Sequence, residues 1–179
     1  MSLKTQSVLR SVEYPGAVYQ ENVAVTQDLR ESCRQAGVER FIMASTNAVV
    51  GDVGYATMHE GVPLRPLTPY GATKAAAEML LCGYAGAYRM ATCALRFTNI
   101  YGPGMGGKDS FVPRMMRAAL AGKGVEIHGD GLQRRDLGHV DDVVTALRSA
   151  WDRHFTGTAI VGSGQSVSVL ELLDAVRTV

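Results

Sequence analysis

The chain has 179 residues, enough for one domain, or one domain and part of another, built around a proper core. With 46% hydrophobic, 20% charged and 7% aromatic residues, it lies outside the disordered, collagenous and membrane-spanning classes. A formal net charge of +1 supplies no global field for nucleic acid or an anionic membrane, so any anion site must be local.

A helix is predicted from Pro15 to Ala36, because Val18, Asn22, Val25 and Leu29 recur at three- and four-residue spacing and Gly37 offers a left-handed cap. Arg40–Ser45 is a short, nearly continuous apolar run, the pattern of a strand covered on both faces of a parallel sheet. A loop rich in Gly and Pro follows, over residues 47–66. Thr68 then reads as an N-cap and Pro69 as the first residue of a helix to about Ala85. Its small side chains, Ala72, Ala75, Ala76 and Ala77, would let a second helix approach closely, which predicts a homodimer. Ala91–Phe97 is the next strand, ending in a turn over Asn99–Gly104. Helix, strand, helix, strand in this order predicts an α/β fold of parallel strands and crossover helices.

After Gly107 the segments shorten, which divides the chain into residues 1–106 and a smaller part, 107–179. Ser110 caps a helix to Ala121 that closes on Gly122, Val125–His128 reads as a strand stub, and Val140–Trp151 is helical. Thr158–Val161 is a strand, and Ser168-x-x-Glu171 is a capping box opening a helix still running at Val179, as expected of part of a longer polypeptide. Cys33, Cys82 and Cys93 are odd in number and lack CxxC spacing, predicting buried, reduced thiols in a cytoplasmic setting. Met1–Gln6 has no apolar stretch of signal length and nowhere do eighteen apolar residues run together, so neither export nor a membrane span is predicted.

The chemistry centres on Tyr70-Gly71-Ala72-Thr73-Lys74, where Tyr70 and Lys74 share one face at the start of a predicted helix. A phenol with an ordinary pKa of about 10 is a poor base at neutral pH; a neighbouring ammonium and a helix N-terminus both favour phenolate. The same residues also suit a turn tyrosine and a solvated lysine. Ser45-Thr46-Asn47 favours the chemical reading, because it follows a buried strand and α/β folds place ligands at the C-terminal ends of parallel strands. A hydroxyl there can share a substrate proton with a phenolate.

Five segments now stand in order: Asn22-Val23; Ala44-Ser45-Thr46-Asn47-Ala48-Val49-Val50-Gly51; Pro69–Lys74; Leu95-Arg96-Phe97-Thr98-Asn99-Ile100-Tyr101-Gly102-Pro103; and Gly129–Asp136. Together they resemble the extended short-chain dehydrogenase/reductase family, the NAD-dependent nucleotide-sugar epimerases and dehydratases. The resemblance implies a Rossmann-type sheet with a smaller substrate-binding subdomain. By it, Tyr70 is the catalytic base, Lys74 lowers its pKa and binds the nicotinamide ribose, and Thr46 meets the reacting sugar oxygen. Asn22 and Phe97 join Tyr70 and Lys74 at the cofactor. Thr46, Asn47, Asn99, Ser110, Phe111 and Arg135 fall where the family contacts a nucleotide-diphosphate sugar. Arg135 also suits phosphate by its guanidinium fork, or a surface salt bridge with Asp136.

Two departures from the family pattern bear on function. The dehydratase branch carries Asp-Glu after its Thr, whereas here Asn47-Ala48 follows Thr46, and alanine cannot transfer a proton. Epimerisation or simple oxidation–reduction is therefore expected over dehydration. The family's opening strand and glycine-rich pyrophosphate turn have no counterpart before Asn22, so the chain resembles the family without its first Rossmann half, leaving a non-catalytic nucleotide-binding protein as the alternative. Gly102–Lys108 mimics a phosphate loop, but Pro103 removes a backbone donor inside it. His128, His139, Asp141 and Asp142 match no metal-ligand spacing.

Overall fold

A computed structural model describes residues 8–54, 56–108, 110–127 and 129–177. In chain order the helices and strands are α1 (Val8–Glu13), α2 (Pro15–Tyr19), α3 (Val25–Gln35), β1 (Arg40–Thr46), α4 (Pro69–Tyr88), β2 (Ala91–Phe97), β3 (Asn99–Tyr101), α5 (Phe111–Leu120), β4 (Arg134–His139), α6 (Val140–Asp152), β5 (Gly157–Val161), β6 (Ser166–Ser168) and α7 (Val169–Arg177). They form two compact units, Met1–Phe97 with Ala146–Ile160, and Thr98–Thr145 with Val161–Val179.

The first unit is the Rossmann-type α/β layer that the sequence predicts. Its sheet has the order β1-β2-β5, and β1 and β2 run parallel in register from Arg40↔Ala91 to Thr46↔Phe97. The expected helix from Pro15 is one helical run, α2 to α3, interrupted by a π-helical turn over Gln20–Ala24. Such turns insert an extra residue per hydrogen-bonded ring and re-aim the side chains they carry. Asn22 lies inside it.

The start of α4 is fixed as the sequence implies: the Thr68 hydroxyl accepts the Gly71 amide at 3.2 Å and Pro69 occupies the first turn. The helix runs to Tyr88 and closes on Arg89 in the left-handed conformation (φ 55°). Ala77 and Leu81 pack with Met43 and Ala94 of the sheet, flanked by Phe41, while Ala75 packs with Val49 and Val50 beneath Val53, Met58, Val62 and Leu64. The apolar interior of α4 therefore clamps both the strands and the loop that leaves β1. Cys93 is buried, Cys33 half-buried and Cys82 exposed, about 100° around α4 from buried Leu81, so the expectation of three buried thiols fails; all three cysteines are free.

In the second unit β4 lies between β3, to which it is parallel, and β6, to which it is antiparallel. Asn99–Tyr101, expected as a turn, is thus a strand, because Leu137–His139 offer it a ladder. The stub expected at 125–128 is not a strand over 125–127, and His128 lies outside the described residues. The capping box forms: the Ser168 amide donates to Glu171 Oε2 at 2.6 Å and the Glu171 amide to Ser168 Oγ at 3.1 Å. Among the described residues no helix is long and apolar enough to cross a membrane, and no three His, Cys, Asp or Glu side chains are grouped to hold a metal.

Candidate active site

Parallel strands end where their carbonyls and the loops beyond them face ligand. β1 ends at Thr46, whose hydroxyl caps the short 3₁₀ turn Asn47–Val49 by accepting the Ala48 amide at 3.2 Å, and which donates to Asn47 Oδ1 at 3.4 Å. The hydroxyl of Tyr70, from the first turn of α4, lies near enough to that of Thr46 for Thr46 to favour its phenolate. One turn further on, Lys74 Nζ donates to the Ala44 carbonyl at 3.1 Å. The structure therefore brings Thr46, Asn47, Tyr70 and Lys74 together, as the sequence predicts. Phe97 is buried at the end of β2 as the ladder partner of Thr46.

Burial pushes the Tyr70 phenol above its ordinary value, and the bond from Thr46 pulls it down by less. The sequence predicts the opposite net direction; desolvation of a phenolate is the larger effect in this pocket. Burial likewise pushes Lys74 down, opposed by the carboxylate of Glu78. Asn22 is buried, and its Nδ2 donates to Thr73 Oγ1 at 2.9 Å, which in turn donates to the Tyr70 carbonyl at 2.9 Å. In this state Asn22 braces the turn that carries Tyr70.

Sequence reasoning missed the group beneath these residues. Ser45 Oγ donates a short hydrogen bond to Glu78 Oε1, and Glu78 pairs with Arg96 at 2.7 Å, with side chains only 2% and 5% exposed. The signal was present: an arginine inside a buried strand needs a buried counter-charge, and Glu78 stands four residues beyond Lys74.

The second unit holds the other expected residues. Asn99 Nδ2 donates to the Asp136 carbonyl at 3.2 Å. The Asp136 carboxylate accepts from Thr98 Oγ1 at 3.2 Å, from the amides of Ser163 and Gly164 at 2.8 and 2.9 Å, and from Ser163 Oγ at 3.1 Å. Arg135 is exposed and donates to the carbonyl of Arg134 at 2.8 Å. Ser110 stands at the N-cap of α5 without a side-chain cap bond, and Phe111 opens that helix, partly exposed.

Tyr70 and Thr46, with the Lys74 ammonium one turn away, thus stand at the C-terminal end of the parallel strands. The model of the NAD dependent epimerase/dehydratase family matches residues 3–161, and the chain belongs to that family. It is 31% identical over 160 residues to an uncharacterised UDP-glucose epimerase of Bacillus subtilis, covering 88% of this chain and 50% of that protein. With a dTDP-glucose 4,6-dehydratase of Streptomyces griseus it shares 32% over 153 residues, 85% of this chain and 46% of the other. The structure of MoeE5 in complex with UDP-glucuronic acid and NAD superimposes with a TM-score of 0.79 at 44% identity, over 88% of this chain and 53% of that one. The chain spans about half the length of the curated relatives it matches.

The residues present fit the nicotinamide end of NAD by their chemistry. Among the described residues Lys74 spends one of its three N–H donors, on Ala44, so a ribose diol could be held by the others and by the Tyr70 hydroxyl.

Proposed function

We propose that this chain carries the proton-transfer and sugar-binding part of an NAD-dependent nucleotide-sugar epimerase. The observation that carries the reading is the gathering of Tyr70, Thr46 and Lys74 at the end of β1, where Thr46 favours the Tyr70 phenolate and Lys74 Nζ is held by the Ala44 carbonyl. NAD, when bound, supplies the acceptor and donor for the hydride of the sugar carbon. Tyr70, as phenolate, takes the proton of the sugar hydroxyl and returns it after the ring presents its other face. Thr46 shares its proton with that phenolate and with the sugar oxygen, while Lys74 offsets the negative charge and holds the ribose. Asn22 and Phe97 support the cofactor end, and Asn47 the sugar. Residues 107–179, with Ser110, Phe111 and Arg135, and with Asn99 ahead of them, grip the nucleotide diphosphate, where a guanidinium suits phosphate oxygens.

Epimerisation is preferred to dehydration because Asn47-Ala48 holds no acid–base pair to expel water. The likeness to MoeE5 supports a UDP-sugar, with UDP-glucuronic acid as the first to test. Exposed Ala72 and Ala76 on α4 support a homodimer packed helix on helix, and free thiols suit the reducing cytoplasm. The test is to incubate the purified protein with NAD and UDP-glucuronic acid or UDP-glucose and follow the sugar ring by proton NMR. Appearance of the epimer is expected. A 4-keto-6-deoxy product would show a dehydratase, and stoichiometric NADH with released ketone a dehydrogenase; either would overturn the proposal.

A further inference from the structure

The last three residues of β1 are each tied to α4 at positions four residues apart. The Thr46 hydroxyl meets that of Tyr70, the Ala44 carbonyl accepts from Lys74 Nζ at 3.1 Å, and the Ser45 hydroxyl donates to Glu78. Positions 70, 74 and 78 fall on one stripe of the helix, so the strand end and the helix are joined by three consecutive side-chain rungs. The deepest rung is itself pinned. Arg96, the ladder partner of Ser45 on β2, holds Glu78 through Nη2 at 2.7 Å and Nε at 3.1 and 3.2 Å, and reaches the Glu60 carbonyl through Nη1 at 3.4 Å.

A buried ion pair is a poor way to stabilise a core, since an apolar pair of similar volume does as well or better. Its placement one helical turn beyond Lys74 on α4 gives it another role. We propose that Glu78, clamped by Arg96 and Ser45 one helical turn beyond Lys74, is a positioning residue whose carboxylate keeps the Lys74 ammonium positive at the end of β1. This rests on the reading that Lys74 serves the site above.

The electrostatics run the same way. Burial drives the Lys74 ammonium toward the neutral amine, and the Glu78 carboxylate opposes it. The other ionisable groups around Lys74 are Tyr70 on the same helix, Arg96 from β2 and Glu60 from the loop after β1. The Glu60 carboxylate is engaged by the Ile160 amide at 2.9 Å. The end of β1 offers no ionisable side chain. Glu78 is therefore the carboxylate that can hold the charge, and a lysine that lost its proton would keep its packing but not its pull on a phenolate.

The test is a titration of the lysine side chains of the full chain by carbon-13 NMR. Only Lys4, Lys74, Lys108 and Lys123 are present, and Lys74→Arg identifies the signal. In the wild type, Lys74 is expected to titrate below the ordinary lysine value, because burial disfavours its ammonium. In Glu78→Gln its midpoint should fall further, with the signals of Lys108 and Lys123 unchanged from the wild type. The Glu78→Gln/Arg96→Met double variant, which leaves no buried charge unpaired, keeps the test open if the single variant does not fold, and its Lys74 midpoint should also lie below the wild type. An unchanged Lys74 midpoint in either folded variant would overturn the proposal. No cofactor or turnover enters this measurement. A lowered midpoint in a protein without epimerase activity would thus leave this inference standing and remove the functional reading, and turnover with an unmoved midpoint would do the reverse.

Discussion

A Cβ on Gly71 would stand 2.5 Å from the carbonyl oxygen of Ala48 and 3.0 Å from Cβ of Pro66. The turn after β1 and the first turn of α4 touch backbone to backbone there, and this close approach sets Tyr70 beside Thr46. Gly71→Ala would gain about 1 kcal/mol of helix propensity, but the clash with a backbone oxygen, at about 1–3 kcal/mol, outweighs it. The variant should have a lower urea midpoint. Displacing Tyr70 by a fraction of an ångström should also cut turnover by roughly 10²-fold. Gly83, on the same helix with nothing within 4 Å of its would-be Cβ, is the control: Gly83→Ala should gain about 0.5–1 kcal/mol and leave turnover unchanged.

Much of this arrangement was legible in the sequence because it is local. Thr68-Pro69 marks the start of α4, the apolar runs mark β1 and β2, and Ser168-x-x-Glu171 forms the capping box its spacing implies. β3, β4 and β6 were not legible, because they are short and polar. Arg134-Arg135-Asp136 becomes a strand only through ladder partners at Ser166–Ser168, some thirty residues away. Arg96, inside an apolar strand, signalled that a buried counter-charge was needed, but only the fold shows that Glu78, eighteen residues away, supplies it. The direction of the Tyr70 shift was misjudged because spacing shows the lysine next to a tyrosine but not how much water both have lost.

Asp136 carries the turn after β5. With its carboxylate accepting from Thr98, Ser163 and Gly164, Asp136→Ala would leave two amides and the Thr98 hydroxyl without this acceptor, while the Ser163 hydroxyl keeps the Gln165 carbonyl. The expected cost is about 1–3 kcal/mol, seen as faster hydrogen exchange at the Ser163 and Gly164 amides, with β1 and β2 amides unaffected. Equal loss of protection throughout the chain would contradict this local role.

Glu31 makes the first unit sensitive to acid. Hydrogen bonds from Arg34, Gln35 and Tyr84 hold its carboxyl down to about 2, from an ordinary 4.5. A carboxyl whose pKa is depressed in the fold stabilises it fully above the unfolded value, and this contribution fades as pH falls toward the folded one. Wild type should therefore exceed Glu31→Gln in urea midpoint at neutral pH, and the gap should close between about pH 4.5 and about pH 2. A gap that stays constant across that window would show that the contacts of Glu31, rather than its charge, matter.

The proposed base, Tyr70, gives the sharpest prediction. Burial raises the Tyr70 phenol, and the Thr46 hydroxyl favours its phenolate. Thr46→Val keeps the volume and removes the hydrogen bond, so Tyr70 must ionise at still higher pH. In an ultraviolet titration, with Tyr70→Phe subtracted to isolate this residue, the Thr46→Val midpoint should lie above that of the wild type. If Tyr70 is the base, only the ionised fraction reacts, so turnover should rise with pH over the range below that midpoint, and Thr46→Val should move the rising limb upward. Tyr70→Phe should lower turnover by roughly 10²–10⁴-fold without a comparable change in urea midpoint. A Thr46→Val enzyme with an upward-shifted phenol but an unmoved rate profile would remove Tyr70 from the chemistry, because the group that titrates would no longer be the group that sets the rate.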